Sequence, residues 1–106
     1  MVEKATPFTR TDTKTIERVV SNENLDINHM VLGNGDALPE HNANSHVQMI
    51  VVRGTITLRL DDQEPHDYPA GHIVAIPFRT LMNVSNTHDP IAEIFVVKAP
   101  APASMA

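Results

Sequence analysis

Cysteine is absent from the 106 residues. That excludes disulfides, thiolate catalysis and zinc sites built on cysteine. Clustered basic charge is missing too. Eight Lys and Arg are scattered among thirteen Asp and Glu, for a net charge of −5. Neither nucleic acid nor an anionic membrane is therefore an expected partner, since both demand concentrated positive charge. No apolar run approaches the roughly 18 residues of a membrane span. The polar opening MVEKATPFTRTDTKT lacks the apolar core of a secretory signal, so the expected location is the cytoplasm. No Ser/His/Asp order, phosphate loop or paired-carboxylate pattern stands out. Asp61, Asp62 and Glu64 read as a solvated turn.

What the sequence does carry is histidine, at positions 29, 41, 46, 66, 72 and 88, and a series of short apolar segments. The length suits one domain. Residues 1–14 are polar and without period, an N-terminal arm. TIERVVSNE (15–23) fits helical spacing at Ile16, Val19 and Val20, but its β-branched content favours a strand. LDINHMVL (25–32) alternates, with Leu25, Ile27, His29 and Val31 on one face and Met30 and Leu32 on the other. GNGD (33–36) is a turn. VQMIVV (47–52) is an apolar strand, and TITLRL (55–60) alternates strictly. A turn at 61–64 makes a hairpin of 55–60 and 64–69, and Pro65 and Pro69 confine the return strand to an edge. AGHIVAIP (70–77) and IAEIFVVK (91–98) are further strands, and 99–106 is a flexible Pro/Ala tail. Short strands with frequent turns and little helical period predict an all-β sandwich or barrel over residues 15–98.

Two stretches carry a resemblance. Gly35, His41, Ala43, Val47 and Gly54 fall at the spacing G-x5-H-x-H-x3-E-x6-G, and Gly71, Pro77, Arg79, Met82 and Asn86 at G-x5-P-x-G-x2-H-x3-N. These are the two motifs of the cupins, and residues 25–98 resemble small single-domain bacterial members of that family, RmlC-like jelly-roll barrels. The resemblance implies a double-stranded β-helix, a lumen sized for a small molecule and a homodimer. Fold alone implies no activity. The family's metal-binding members set three imidazoles and a carboxylate at these motif positions. Here only His41 keeps its ligand type, so the metal site is degenerate and no cofactor is expected.

Strand parity turns Val47, Met49 and Val51 towards the lumen with His41. The expected function is small-molecule binding in a mostly apolar lumen lined by Met30, Val47, Met49, Val51 and Met82. His41 would be its polar anchor, unless it only caps its loop. Arg79 would either stand near the mouth, where it could meet an anion, or make a surface ion pair. The alternative is a cupin enzyme, a dioxygenase or isomerase. It would hold Zn, Ni, Mn or Fe through a non-standard set of His41, His46 and His29, or work without metal through His41 as acid and base. His46 precedes the inward Val47 and would need a bulge to turn in. A soft Cu(I) site of His41, Met49 and Met82 is a further possibility. His66, His72 and His88 read as turn and loop residues.

Overall fold

The computed structural model describes residues 2–105. Among these residues nine strands form two sheets. They are β1 (Thr15–Ser21), β2 (Asp26–Gly33), β3 (His41–Asn42), β4 (Val47–Arg53), β5 (Thr55–Leu60), β6 (His66–Pro69), β7 (Ile73–Ile76), β8 (Leu81–Ser85) and β9 (Ile91–Lys98). Sheet I has the order β1-β2-β9-β4-β7 and sheet II the order β3-β8-β5-β6. Every strand pair is antiparallel. This is the jelly-roll arrangement expected from the sequence, and the ambiguous segment at 15–23 is a strand. Among the described residues no helix is long and apolar enough to cross a membrane.

The inner faces meet in one core. Leu32, Val47, Met49, Val51, Ile76, Ala92, Ile94 and Val96 of sheet I pack against Ile56, Leu58, Met82 and Val84 of sheet II. The alternation read in 55–60 has this cause: Ile56 and Leu58 point in and Arg59 points out. β6 is indeed an edge strand and starts only at His66, after Pro65. β7 is likewise shorter than the apolar segment that carries it. The sequence offers no sign of β3 or β8. β3 has two residues, and β8 carries only Met82 and Val84 as buried apolar positions.

The motif residues outside the ligand positions hold the backbone frame. Gly54 adopts φ +67°, and a Cβ there would collide with the carbonyl oxygen of Ile91. Asn86 is fully buried and works as a loop staple. Its side-chain amide donates to the carbonyls of Leu32 and Asp89, and its oxygen accepts from the amides of His88 and Asp89. Arg79 stands at a motif glycine and has φ +73°, the conformation that explains why glycine suits the position.

Parts of both flanking segments, around Phe8 and around Ala101, lie against the barrel. The arm crosses the outer face of sheet I, where Phe8 packs 4.9 Å from the rings of His29 and Phe95. At the other end, where the sequence suggests a loose tail, part of the segment is packed. Ala101 is buried, the Ser45 hydroxyl donates to the Pro100 carbonyl, and Pro102–Met105 forms a 3-10 turn. Ala106, the end of that segment, and Met1, the start of the arm, lie outside the described residues.

Candidate functional site

His41, Ala43, Val47 and Met82, the four positions of the motif ligands, border one cavity. Local pairing explains this. His41 lies directly opposite Met82 across the β3–β8 pair, and Val47 is the first inward residue of β4. Met30, Leu38, Asn44, Met49, Val84, Val96 and Lys98 complete the wall. The cavity measures about 30 Å³, room for a water or two. The lumen is thus far smaller than the several hundred Å³ of an ordinary small-molecule pocket. Three methionines, Met30, Met49 and Met82, line it, and methionine is an adaptable side chain that can move aside.

Two expected members stand elsewhere. Val51 is buried in the core but does not border the cavity. Arg79 does not reach it either. Its guanidinium lies over the Phe78 ring, 4.9 Å from the centroid, while its backbone amide donates to the Ala43 carbonyl. The Arg79 side chain is exposed, with no ion pair within 4 Å among the described residues.

The alternative metal set does not assemble. His29 is on the outer face of sheet I, His46 is exposed beside Phe78, and only His41 is at the cavity. Among the described residues no group of three His, Asp or Glu could hold a metal ion. The usual cupin metal does not fit the motif positions, because Ala43, Val47 and Met82 offer no nitrogen or oxygen donor. Met49 and Met82 do share the cavity with His41, but Lys98 lines it as well, and a positive charge on that side chain disfavours a cation of either hardness.

Lys98 is the residue the sequence does not reveal. It ends β9, where it sits opposite Val47 of β4 on one side and Asp26 of β2 on the other. It continues the inward series Ala92, Ile94, Val96. Burial pulls its pKa below the usual lysine range, against the attraction of Asp26, while Arg18 adds to the lowering. Among the described residues Lys98 makes no ion pair within 4 Å. His41 has a defined tautomer. Its Nδ1 lies 2.9 Å from the Pro39 carbonyl, which can only accept, so Nδ1 carries the proton. In the neutral ring Nε2 is then an acceptor.

A larger concavity lies outside the barrel. It is an open groove of about 560 Å³ between the arm and the outer face of sheet I, lined by Phe8, Arg10, Arg53, Glu93 and Phe95 among others. Under it runs a charge network. His29, fully buried, places Nδ1 2.7 Å from Glu17 and Nε2 2.6 Å from Glu93. Arg53 donates to Glu93, Asp12 and the Thr11 carbonyl. Burial works against ionisation of Glu93, but the hydrogen bonds from His29 and Arg53 outweigh it and hold its pKa below the usual carboxylate range. The His29 hydrogen bond, with help from Thr9, lowers Glu17 in the same direction. The side chains of this network are already engaged by protein partners, so the network reads as a tether for the arm.

No family model matches the chain. A protein of Methanocaldococcus jannaschii named only as uncharacterized is 47% identical over 103 residues, which is 96% of this chain and 89% of that one. The crystal structure of an RmlC-like cupin family protein with a double-stranded β-helix fold from the same organism superposes with a TM-score of 0.96. It covers 99% of this chain and 97% of its own, at 45% identity. A Cupin 2 conserved barrel domain protein from Salinispora arenicola shares the fold alone, with TM-score 0.79 at 19% identity over 99% of this chain and 93% of that one. With such identity along nearly its whole length, the chain belongs to the RmlC-like cupin family.

Proposed function

We propose that this cupin binds a small molecule at the mouth of its barrel, with His41 as the polar anchor, and that it does so as a homodimer. One observation carries the binding site. All four motif ligand positions border a single cavity, and only one of them, His41, still has a polar side chain. A lone imidazole among thioethers and aliphatic groups suits orientation of a small ligand better than metal-assisted chemistry, which needs several donors. The same geometry speaks against the enzyme built on His41, His46 and His29, whose members lie on different faces.

Chemical-shift mapping with a set of small neutral and anionic fragments tests this. Perturbations are expected at His41, Val47, Met49 and Met82. His41→Ala should weaken the best fragment by the worth of one hydrogen bond, about 0.5–1.5 kcal/mol. Perturbations confined to the arm groove, around Phe8 and Phe95, would move the site out of the lumen and overturn the proposal.

A further inference from the structure

Lys98 and His41 border the same cavity with complementary demands. The ammonium only donates, so it asks for an acceptor, and an anionic one gains most. The neutral imidazole, its Nδ1 proton committed to Pro39, asks at Nε2 for a donor. An ammonium group on the ligand would supply that donor but would be repelled by Lys98. A hydroxyl supplies it without charge. The space is about 30 Å³ unless the methionines move, so the ligand must be short. Among the described residues the only carboxylate directly opposite Lys98 on a neighbouring strand is Asp26, which accepts from the Ser21 hydroxyl at 2.7 Å and lies 4.0 Å from Arg18. Asp26 is therefore already engaged, and Lys98 makes no ion pair within 4 Å among the described residues.

We infer that the lumen selects a short hydroxycarboxylate, whose carboxylate meets the Lys98 ammonium and whose hydroxyl donates to His41 Nε2. Lys98 is then the residue that sets ligand charge, and His41 the one that demands a hydroxyl. The inference rests on the lumen being the binding site.

Four probes of nearly equal size separate the contributions in a titration followed by NMR. Glycolate and lactate carry both groups, acetate lacks the hydroxyl, and glycolamide lacks the charge. Glycolate should bind roughly tenfold tighter than glycolamide, the factor that one charge-assisted hydrogen bond supplies. It should also bind several-fold tighter than acetate. Lys98→Met should erase the preference over glycolamide and keep the preference over acetate. His41→Phe should do the reverse. Lys98→Gln serves as a second variant should Lys98→Met fold poorly. Equal binding of glycolate and glycolamide by the natural protein, or an unchanged preference in both Lys98 variants, overturns the inference. If neutral fragments perturb the lumen while none of the four probes does, the hydroxycarboxylate falls and the lumen site stands. If every fragment perturbs only the arm groove, both fall.

Discussion

Single residues divide the two motif stretches into positions that hold the backbone frame and positions that line the cavity. Gly54 belongs to the frame. A side chain there meets two penalties, a left-handed backbone, about 1–2 kcal/mol, and a collision with Ile91 that neither strand can relieve, about 1–3 kcal/mol. Gly54→Ala should therefore lose between about 2 and 5 kcal/mol in urea unfolding. Gly35→Ala is the matched control. Its φ is +86°, but a Cβ there would meet nothing within 4 Å, so only the first penalty applies. Equal losses for the two variants would mean that Gly54 is not held against Ile91. Arg79 shows the opposite case, a side chain tolerated in a left-handed position because its guanidinium rests on Phe78 and its backbone amide is paired.

The strands that can be read directly are those whose local pattern matches their surroundings. β5 alternates because one face is core and the other solvent. β9 is apolar on both sides because its outer face is also covered in part, by Phe8 of the arm against Phe95. In 25–32 the division of faces is also visible, with Met30 and Leu32 inward and His29 outward. β8 is not visible, since Asn83 and Ser85 dilute its pattern and its place in the sheet is set by β5 and β3. Lys98 escapes for a similar reason. At the end of an apolar run a lysine looks like a solvent-facing terminus, and only the register of β9 against β4, some fifty residues away in the chain, turns it to the lumen. The His29 network depends on β1, β2, β9 and the arm at once, so no segment announces it. Its pH behaviour follows from Glu17 and Glu93. Both carboxyl groups have pKa values lowered by folding. Their contribution is complete above the ordinary carboxylate range and is lost as pH falls through the lowered folded values. Glu93→Gln should be less stable at neutral pH by about 3 kcal/mol, because it leaves His29 and Arg53 short of a buried partner. Its melting temperature should then fall less steeply than that of the natural protein on going from pH 6 to pH 3. Parallel pH curves would show that Glu93 does not contribute to acid unfolding.

For the molecule as a whole, two expectations concern what the barrel could hold and what it could meet. The triple variant Ala43→His, Val47→Glu, Met82→His would return three imidazoles and a carboxylate to one cavity. It should gain Zn or Ni binding by calorimetry, and with it a metal-dependent rise in melting temperature. Lys98→Met in the same background should raise affinity further by removing a cation from the wall. A folded variant without metal affinity would show that the four positions do not converge well enough. A homodimer would have its best surface on the outer face of sheet I beside the arm, where Ile73 and Ile50 lie side by side across β7 and β4 and Ile73 is 66% exposed. Such a face is apolar and can meet its own copy across a two-fold axis. Sedimentation at micromolar concentration should give twice the 11.7 kDa chain mass, and Ile73→Glu should return it to one. A natural protein that sediments as a single chain would dismiss the dimer.

The tether of the arm has a consequence of another kind. Arg53 ties Asp12 and Thr11 to Glu93 through a guanidinium that is 41% exposed, and Asp12 is 74% exposed. The outer half of this tie is open to counter-ions, while Glu93 at the inner half is nearly buried. Rising ionic strength should therefore weaken the grip on residues 11–12 before it touches the sheet. Arg10, the exposed basic residue just before them, would become easier for trypsin to cut. The protein would then shed its first residues in concentrated salt and keep them in dilute buffer, with the barrel unchanged in either.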